Sequence, residues 1–343
     1  MINFLIFLVV LSGIILIARL IRVFELTTEL RGVSQEVTSH KDNKMNAGLM
    51  MLFMIAFFGF CLYQFFAWNP LMLPESASEH GVGIDELMDF NMIIIIAVFF
   101  ITHIILFYFA SKYYFRKDNQ AYFFTHNNKL ELLWTSVPAV VLAVIIIYGL
   151  ATWNKITELP PEDALTIELY GKQFDWTARY TGADGELGNS SFRLIEGTNA
   201  LGLDSLDSKA LDDVIIKGEF HLPVNKPVNF VFRSRDVIHS AFMPHFRAQM
   251  NVVPGMSTQF HFVPTITTAE MKVKTGNKDF EYILLCNKVC GAAHWNMQMT
   301  IVVDTEADYQ KWLKEQKPYF NINTAEQSPE KENGETVIVA SNN

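Results

Sequence analysis

The sequence predicts a membrane protein in which transmembrane α-helices are followed by a β-sandwich domain. Half of its 343 residues are hydrophobic, and four long uncharged apolar runs all lie before residue 154. After residue 160, short stretches rich in Val, Ile, Phe and Thr alternate with Gly, Pro, Asn and Asp, which is typical of sandwich strands and turns. The two parts are therefore expected to fold in different solvents, the first in lipid and the second in water.

The uncharged runs approach or reach the length of helix that crosses a bilayer, which is about 20 residues. A cleaved signal peptide is the alternative for the first run, but no basic residue precedes it and no cleavage site of small residues follows it. We therefore predict four retained transmembrane helices. They are expected at residues 2–18, 49–68, 91–111 and 132–153.

Charges in the loops predict the orientation of these helices, because short cytoplasmic loops collect Lys and Arg. The loops after the first and third runs are basic, whereas loop 69–90 has no Lys or Arg and carries five acidic residues. We therefore expect the N-terminus and the C-terminal domain on the outer, periplasmic side of a bacterial inner membrane. The net charge of −9 argues against nucleic acid as a partner.

The part after residue 160 reads as strands with one late helix, expected at residues 306–315. Residues 181–217 are rich in Gly, Asp, Ser and Asn and predict a long loop or insertion, and the polar residues 321–343 predict a mobile tail. The predicted strands are 165–170, 220–222, 228–234, 258–263, 281–285 and 298–303.

One short stretch, CNKVCGAAHWNMQM, carries the chemistry of the outer domain. It brings Cys286, Cys290, His294 and Met297 within twelve residues. A disulfide between the cysteines is possible in an oxidising compartment but leaves the histidine and methionine unexplained. Structural zinc would use thiolates and imidazoles but does not recruit a thioether, so Met297 is the residue that discriminates.

Copper accepts thiolate, imidazole and a weak thioether together, and single blue-copper sites use such a loop between two sandwich strands. Cys286 adds a second thiolate, which is enough sulfur to bridge two metal ions. A binuclear site then needs a further imidazole, and His239 in the stretch DVIHSAFMP supplies it at the predicted end of the strand from Val228. His221, His245 and His261 have no such cluster around them and are expected to be packing or surface residues.

These residues resemble subunit II of the haem-copper cytochrome c oxidases over about residues 91–313. The resemblance rests on four motifs in order: THNNKLELLWTSVP, GKQFDWTARY, DVIHSAFMP followed by VVPG, and CNKVCGAAHWNM. It implies a cupredoxin-like sandwich after a helical hairpin. The expected parts are an extra helix pair with its loop (1–68), the family hairpin (69–153), the copper domain (154–320) and the tail (321–343).

The resemblance also implies a binuclear copper centre of the type called CuA. In it, Cys286 and Cys290 bridge the coppers, His239 and His294 bind one each, and the last two ligands are Met297 and the backbone carbonyl of Lys288. The implied role is to accept electrons from a cytochrome c-type donor and pass them to haem in subunit I of a proton-pumping oxidase that reduces oxygen to water. Further membrane subunits are expected partners.

Glu131 has two interpretations. In the family, the carboxylate at this position lies at the mouth of a proton path into the catalytic subunit, and the loop charges place Glu131 at the cytoplasmic end of a span. The alternative is a solvated glutamate near the positive end of the helix dipole.

Three departures from the family pattern change the expected contacts. Lys288 replaces a Glu that helps to hold magnesium, and an ammonium cannot ligate that ion, so we expect no magnesium bridge through this residue. Phe174 replaces the Trp at which electrons from cytochrome c arrive, although Trp176 remains, and this favours a donor held in a supercomplex. Gln249 and Asn251 replace a Lys and an Asp in the region that faces the catalytic subunit.

Competing functions remain open at this point. A quinol oxidase subunit has the fold without the copper ligands, all of which are present here. A nitrous or nitric oxide reductase carries the same copper cluster, and the membrane hairpin argues against the soluble nitrous oxide enzyme more strongly than against the nitric oxide enzyme. A membrane-anchored binding module with structural zinc would leave Met297 without a role.

Overall fold

The computed structural model describes residues 2–30, 39–320, 331–332 and 335–336. Within these ranges, four helices are long and apolar enough to cross a membrane, as the sequence predicts. Their large hydrophobic side chains are mostly exposed, which is how helices that face lipid or other subunits look in a single chain. The helices are α1 (Ile2–Leu30), α2 (His40–Trp68), α3 (Glu79–Lys112) and α4 (Asn128–Ile156).

The helices extend beyond the predicted spans because charged residues can continue a helix that has left the apolar layer. The span predicted at 2–18 lies in a helix that continues to Leu30, and Arg22 pairs there with Glu25 at 2.9 Å on the exposed helix surface. The start of α4 is set by Asn127, whose side-chain oxygen accepts hydrogen bonds from the backbone N–H groups of Lys129 and Leu130.

Aromatic side chains join α2 to the second half of α3. Phe58 and Phe100 have ring centroids 4.8 Å apart. His103, the polar residue of the third span, lies next to Phe99 and Phe57, and its Nδ1 is 2.8 Å from the carbonyl oxygen of Phe99. This histidine thus has protein neighbours, as expected for a polar group in lipid.

The second part is a sandwich of two five-stranded sheets. One sheet has the order β3-β2-β1-β5-β8 and the other β4-β10-β9-β6-β7. The strands are β1 (Leu165–Lys172), β2 (Asp175–Tyr180), β3 (Val214–Lys217), β4 (Glu219–Pro223), β5 (Val228–Ser234), β6 (His239–Met243), β7 (Ala248–Val252), β8 (Thr258–Phe262), β9 (Tyr282–Cys286) and β10 (Gln298–Asp304). Side chains such as Trp176, Phe230 and Tyr282 fill the core and are fully buried.

Two helices accompany the sandwich. The helix α6 (Glu306–Glu315) has the predicted bounds. The helix α5 (Thr268–Thr275) corrects the expectation that no helix precedes it, and its start is fixed by a reciprocal cap between Thr267 and Glu270. The predicted loop 181–217 also ends in a strand, β3, which pairs with β2.

The insertion between β2 and β3 is held by a buried ionic network. Arg179 is 1% exposed and lies between the carboxylates of Glu168 and Asp213, which are 4% and 0% exposed. Its Nη2 also donates to the carbonyl of Gly188 at 2.5 Å, and Arg233 pairs with Glu168 from the other side. The buried charges balance one another only as a set, so the network ties the insertion to the sheet.

The Asp213 carboxylate makes the stability of this region depend on pH. Burial raises the pKa of Asp213 to about 6, against the opposing effect of Arg179, and its Oδ1 is buried with no hydrogen-bond partner. Between the ordinary pKa of 3.8 and about 6, the folded chain keeps a proton that the unfolded chain has lost. The free energy of unfolding should therefore fall as the pH rises through this window, by up to about 3 kcal/mol.

In Asp213→Asn this part of the pH dependence should vanish when the free energy of unfolding is measured in urea at several pH values. An unchanged pH dependence would contradict the role of Asp213.

Residues 71–93, which lead into and begin α3, pack on the sandwich. Ala77 is fully buried in the sandwich core, and its N–H donates to the carbonyl of His245 at 2.7 Å. Thr265 N–H donates to the carbonyl of Ala77 at 2.8 Å, and Ser78 forms a β-bridge with Pro264. This short stretch therefore acts as an added piece of the sandwich edge.

Of the predicted mobile tail 321–343, the structure describes only the paired strands β11 (Lys331–Glu332) and β12 (Glu335–Thr336). The expected mobility concerns residues that lie otherwise outside the described ranges.

Candidate metal centre

The candidate site lies where two neighbouring strands of one sheet begin and end. His239 is the first residue of β6 and Cys286 the last of β9. Sequence reasoning placed His239 at the end of the strand from Val228; that strand ends at Ser234 and belongs to the opposite sheet, so this placement was wrong. The chain crosses between the sheets at 235–238, because Ser234 and Asp236 form a local turn.

Two sulfur atoms form the middle of the site. The Sγ atoms of Cys286 and Cys290 lie 3.9 Å apart and form no disulfide, and both residues are buried. Each sulfur has its own imidazole. His239 Nδ1 lies 3.8 Å from Cys286 Sγ, and His294 Nδ1 lies 3.6 Å from Cys290 Sγ.

Two further donors complete the arrangement. The thioether sulfur of Met297 lies 3.7 Å from Cys290 Sγ, and the backbone carbonyl oxygen of Lys288 lies 3.3 Å from Cys286 Sγ. The loop that carries them is closed by a hydrogen bond from Cys286 N–H to the carbonyl of Met297 at 3.0 Å. All six residues predicted as ligands thus meet at one place.

The donor set fits copper. Thiolate, imidazole and thioether ligands together suit copper, and zinc sites do not use a thioether. Burial raises the pKa of the Cys290 thiol to about 11, and the neighbouring Cys286 adds to the effect. Two adjacent buried thiolates therefore need a positive charge, which a metal ion supplies.

Asp236 and Gln173 support the ligands, and sequence reasoning missed both. His239 Nε2 lies 2.9 Å from Asp236 Oδ1, so the ring N–H donates a hydrogen bond to the carboxylate. This contact leaves Nδ1 facing the cysteine sulfurs. Gln173 N–H donates to Asp236 at 2.8 Å, and its side chain donates to the Cys290 carbonyl at 2.6 Å. Burial opposes ionisation of Asp236, but these hydrogen bonds hold its pKa below the usual value. For Asp236, the available sequence signal was a carboxylate three residues before a candidate ligand histidine.

Removal of the Asp236 charge should weaken metal binding without removing a ligand. In Asp236→Asn we expect copper affinity to fall by about 10- to 100-fold, because the imidazole is less firmly oriented and less basic. Competition with a copper chelator measures this affinity. The exposed Asp279→Asn is the matched control, and equal affinities of the two variants would refute the role of Asp236.

Phe174 and Trp176 lie next to different parts of the candidate site. Phe174 is half-buried and its ring covers Gly291, where an added Cβ would lie 2.8 Å from the ring. Gly291 also has φ 143°, so this close approach needs glycine. Trp176 is fully buried and meets His239 edge-on at 6.0 Å between ring centroids.

The remaining candidate residues lie away from the cluster or on its surface. The Lys288 side chain is exposed, as are Gln249 and Asn251 on β7. Glu131 lies in the first turn of α4, and its Oε1 accepts a hydrogen bond from Asn127 N–H at 3.3 Å. This contact is the one expected of a helix-start glutamate.

The other outer-domain histidines have packing contacts. His221 stacks on Trp312 with ring centroids 4.2 Å apart and bonds to Asp304 at 2.5 Å. His245 packs against Phe280, and burial lowers the pKa of His245 and of His261.

Comparison with known proteins gives the class of this chain. Residues 66–152 match the family model of the transmembrane domain of cytochrome c oxidase subunit II, and residues 165–305 match that of its periplasmic domain. The alternative cytochrome c oxidase subunit 2 of Bradyrhizobium diazoefficiens is 36% identical over 276 residues, or 80% of this chain and 92% of the relative. Cytochrome c oxidase subunit 2 of Cereibacter sphaeroides is 28% identical over 253 residues, or 70% and 78%.

Among solved structures, the periplasmic domain of subunit II of cytochrome oxidase from Bradyrhizobium japonicum matches at 23% identity with a TM-score of 0.31. That match covers 46% of this chain and 95% of the other.

The chain belongs to the cytochrome c oxidase subunit II family. It is therefore a membrane protein and a subunit of a haem-copper oxidase complex. This confirms the predicted resemblance, the enzyme class and the fold class of apolar helices followed by a cupredoxin-like sandwich.

Proposed function

We propose that this chain is the electron-accepting subunit of a proton-pumping terminal oxidase and carries a binuclear copper centre of the CuA type. The observation that supports the proposal is the convergence of four further donors around two free cysteine sulfurs 3.9 Å apart. Copper bound there would take up and release single electrons, received from a cytochrome c-type donor and delivered to haem in subunit I.

The chain's own residues supply a preformed and dry setting for this chemistry. His239 and Met297 are 0% and 1% exposed, so water has little access to these two proposed ligands. Asp236 fixes the ring of His239 and Gln173 ties the two metal loops together. A rigid ligand set reduces the rearrangement that accompanies a change of charge.

We assign the arrival of electrons to Phe174 rather than Trp176. Trp176 is 0% exposed and cannot contact a partner protein, whereas Phe174 is partly exposed and lies on the peptide next to Cys290. A phenyl ring offers contact area but no indole, which supports a donor held permanently beside the oxidase in a supercomplex. Glu131 remains a proposed proton-uptake group, on the strength of its place at the start of α4. We do not expect Lys288 to bridge to magnesium, because an ammonium group cannot ligate that ion.

Orientation is part of the proposal. The basic loops after α1 and α3 favour placing the sandwich and the N-terminus on the periplasmic side of a bacterial inner membrane. Subunit I and further membrane subunits would cover the exposed apolar helix faces.

Metal analysis and electron paramagnetic resonance of the purified full-length chain, loaded with copper in detergent, test the copper centre. We expect paired coppers that share one unpaired electron. Zinc, a single copper or no metal would refute the electron-relay function and leave the family membership unchanged.

Restoring an indole at position 174 tests the donor. Phe174→Trp should speed reduction by freely diffusing cytochrome c several-fold, because a rigid amphipathic aromatic improves docking at that point. Stopped-flow mixing measures the rate. Phe192→Trp, at an exposed aromatic in the insertion, is the control, and an equal response of both variants would argue against this route.

A further inference from the structure

The turn between β6 and β7 is fastened to the start of α3 through Arg247. Its guanidinium makes two hydrogen bonds to the Asp85 carboxylate, each 2.7 Å long, with a nitrogen for each oxygen. It also donates to the carbonyl oxygens of Pro74 at 2.6 Å and of Pro244 at 2.7 Å. Such a bidentate pair fixes both distance and orientation. We refer to this contact of Arg247 with Asp85 and Pro74 as the clamp.

Neighbouring contacts show that the clamp is closely fitted. Ser78 donates its hydroxyl to the carbonyl of Phe246 at 2.7 Å. Gly81 is buried, and an added Cβ would lie 2.2 Å from Ser76 Oγ and 3.0 Å from the Arg247 side chain. The two surfaces meet without room for a methyl group, so a shift of one requires a shift of the other.

The backbone of Arg247 points to a use for its side chain. Arg247 has φ 52°, a left-handed conformation that glycine adopts more readily than any other residue. A long side chain therefore occupies a position where the backbone disfavours it, and its guanidinium makes both hydrogen bonds to Asp85.

The metal site lies at the far end of the same hairpin. β6 runs from Met243, beside the turn, to the ligand His239, and pairs along its length with β7. At the usual rise per residue this separates the clamp end from the ligand by about 13 Å. A tilt of the sandwich of about 10° about the clamp would therefore move His239 by roughly 2 Å.

We propose that Arg247 is a positioning residue for electron delivery, which holds the metal-bearing end of the sandwich at a fixed place relative to the start of α3. The inference rests on the proposed electron-relay function. It assigns to Arg247 no role in binding copper, because β9 and β7 hold β6 independently of the clamp.

The test uses Arg247→Gly in the assembled oxidase. Glycine suits the left-handed backbone, so this variant removes the clamp while favouring the fold. Asn225→Gly is the matched control, because Asn225 has φ 59° and lies exposed on another turn. Asp85→Asn removes the partner charge and is the second variant, which should shift both readouts in the same direction.

Two readouts separate the possible results. Amide hydrogen exchange in residues 76–80 should become about tenfold faster in Arg247→Gly and stay unchanged in the control, since these amides depend on the docked segment. After photochemical injection of an electron, haem reduction should be several-fold slower, with an unchanged paired-copper resonance. Unchanged haem reduction, with or without faster exchange, would overturn the proposal. Absence of the paired-copper resonance in the unaltered protein would instead refute the proposed function.

Discussion

Cys286→Ser should abolish the proposed binuclear copper centre. The sulfur of Cys286 lies within 3.9 Å of Cys290 Sγ, His239 Nδ1 and the carbonyl oxygen of Lys288, so it is the donor shared by one side of the cluster. A serine hydroxyl stays protonated at neutral pH and cannot act as a bridging anion. We expect loss of the paired resonance and loss of electron delivery to haem in the assembled oxidase.

Two companion variants give this experiment its controls. Cys61→Ser changes the remaining cysteine of the chain, which lies in α2, and should leave copper content and the resonance unchanged. Met297→Leu keeps the volume of the buried thioether but removes a weak ligand, so the pair of coppers should persist with an altered resonance. Retention of the paired resonance in Cys286→Ser would show that this cysteine does not bridge.

Arg179→Met should destabilise the sandwich more than any other single change of a charged residue outside the metal site. The substitution leaves the carboxylates of Glu168 and Asp213 buried without the cation between them. Removal of one partner from a buried ionic network costs about 3 to 5 kcal/mol. The insertion between β2 and β3 should detach first, because Arg179 also holds the Gly188 carbonyl.

Denaturant unfolding of the full-length chain in detergent, followed by tryptophan fluorescence, measures this loss. Arg193→Met removes an exposed arginine of the same insertion and should change stability by less than about 0.5 kcal/mol. Arg179→Lys keeps the charge but loses the fork of donors, and should lie between the two. If Arg179→Met lowers the free energy of unfolding no more than the Arg193 control does, the network does not stabilise the sandwich as proposed.

The sequence was most informative where one physical signal dominates. β5 has the predicted bounds because Val228, Phe230 and Phe232 alternate inward with the period of a strand. β6 and β7 were missed, since each has only five residues and carries polar residues that interrupt its apolar run. α5 was missed although Thr267 and Glu270 form a capping box, which the sequence displays.

The candidate site likewise combines residues that local sequence reveals with residues that only the fold brings together. Four of the proposed side-chain ligands come from one loop, so their spacing already suggested a metal, and His239 was found because the donor set needed another imidazole. Gln173 could not be found in this way, because its contact with Cys290 joins residues 117 positions apart. The clamp between Arg247 and Asp85 joins residues 162 positions apart and has no local signature. Such contacts depend on the packing of the whole domain.

The placement of Ala77 means that the water-soluble domain is discontinuous along the chain. A fragment that begins after α4 would contain all ten strands of the sandwich but would lack Ala77, which is fully buried in the core, and the bridge from Ser78 to Pro264. It would expose the apolar core residues around Ala77 and leave the carbonyl of His245 without its hydrogen-bond donor. A soluble version for biophysical work therefore needs residues 71–85 restored, either fused through a linker or added as a separate peptide that complements the fragment.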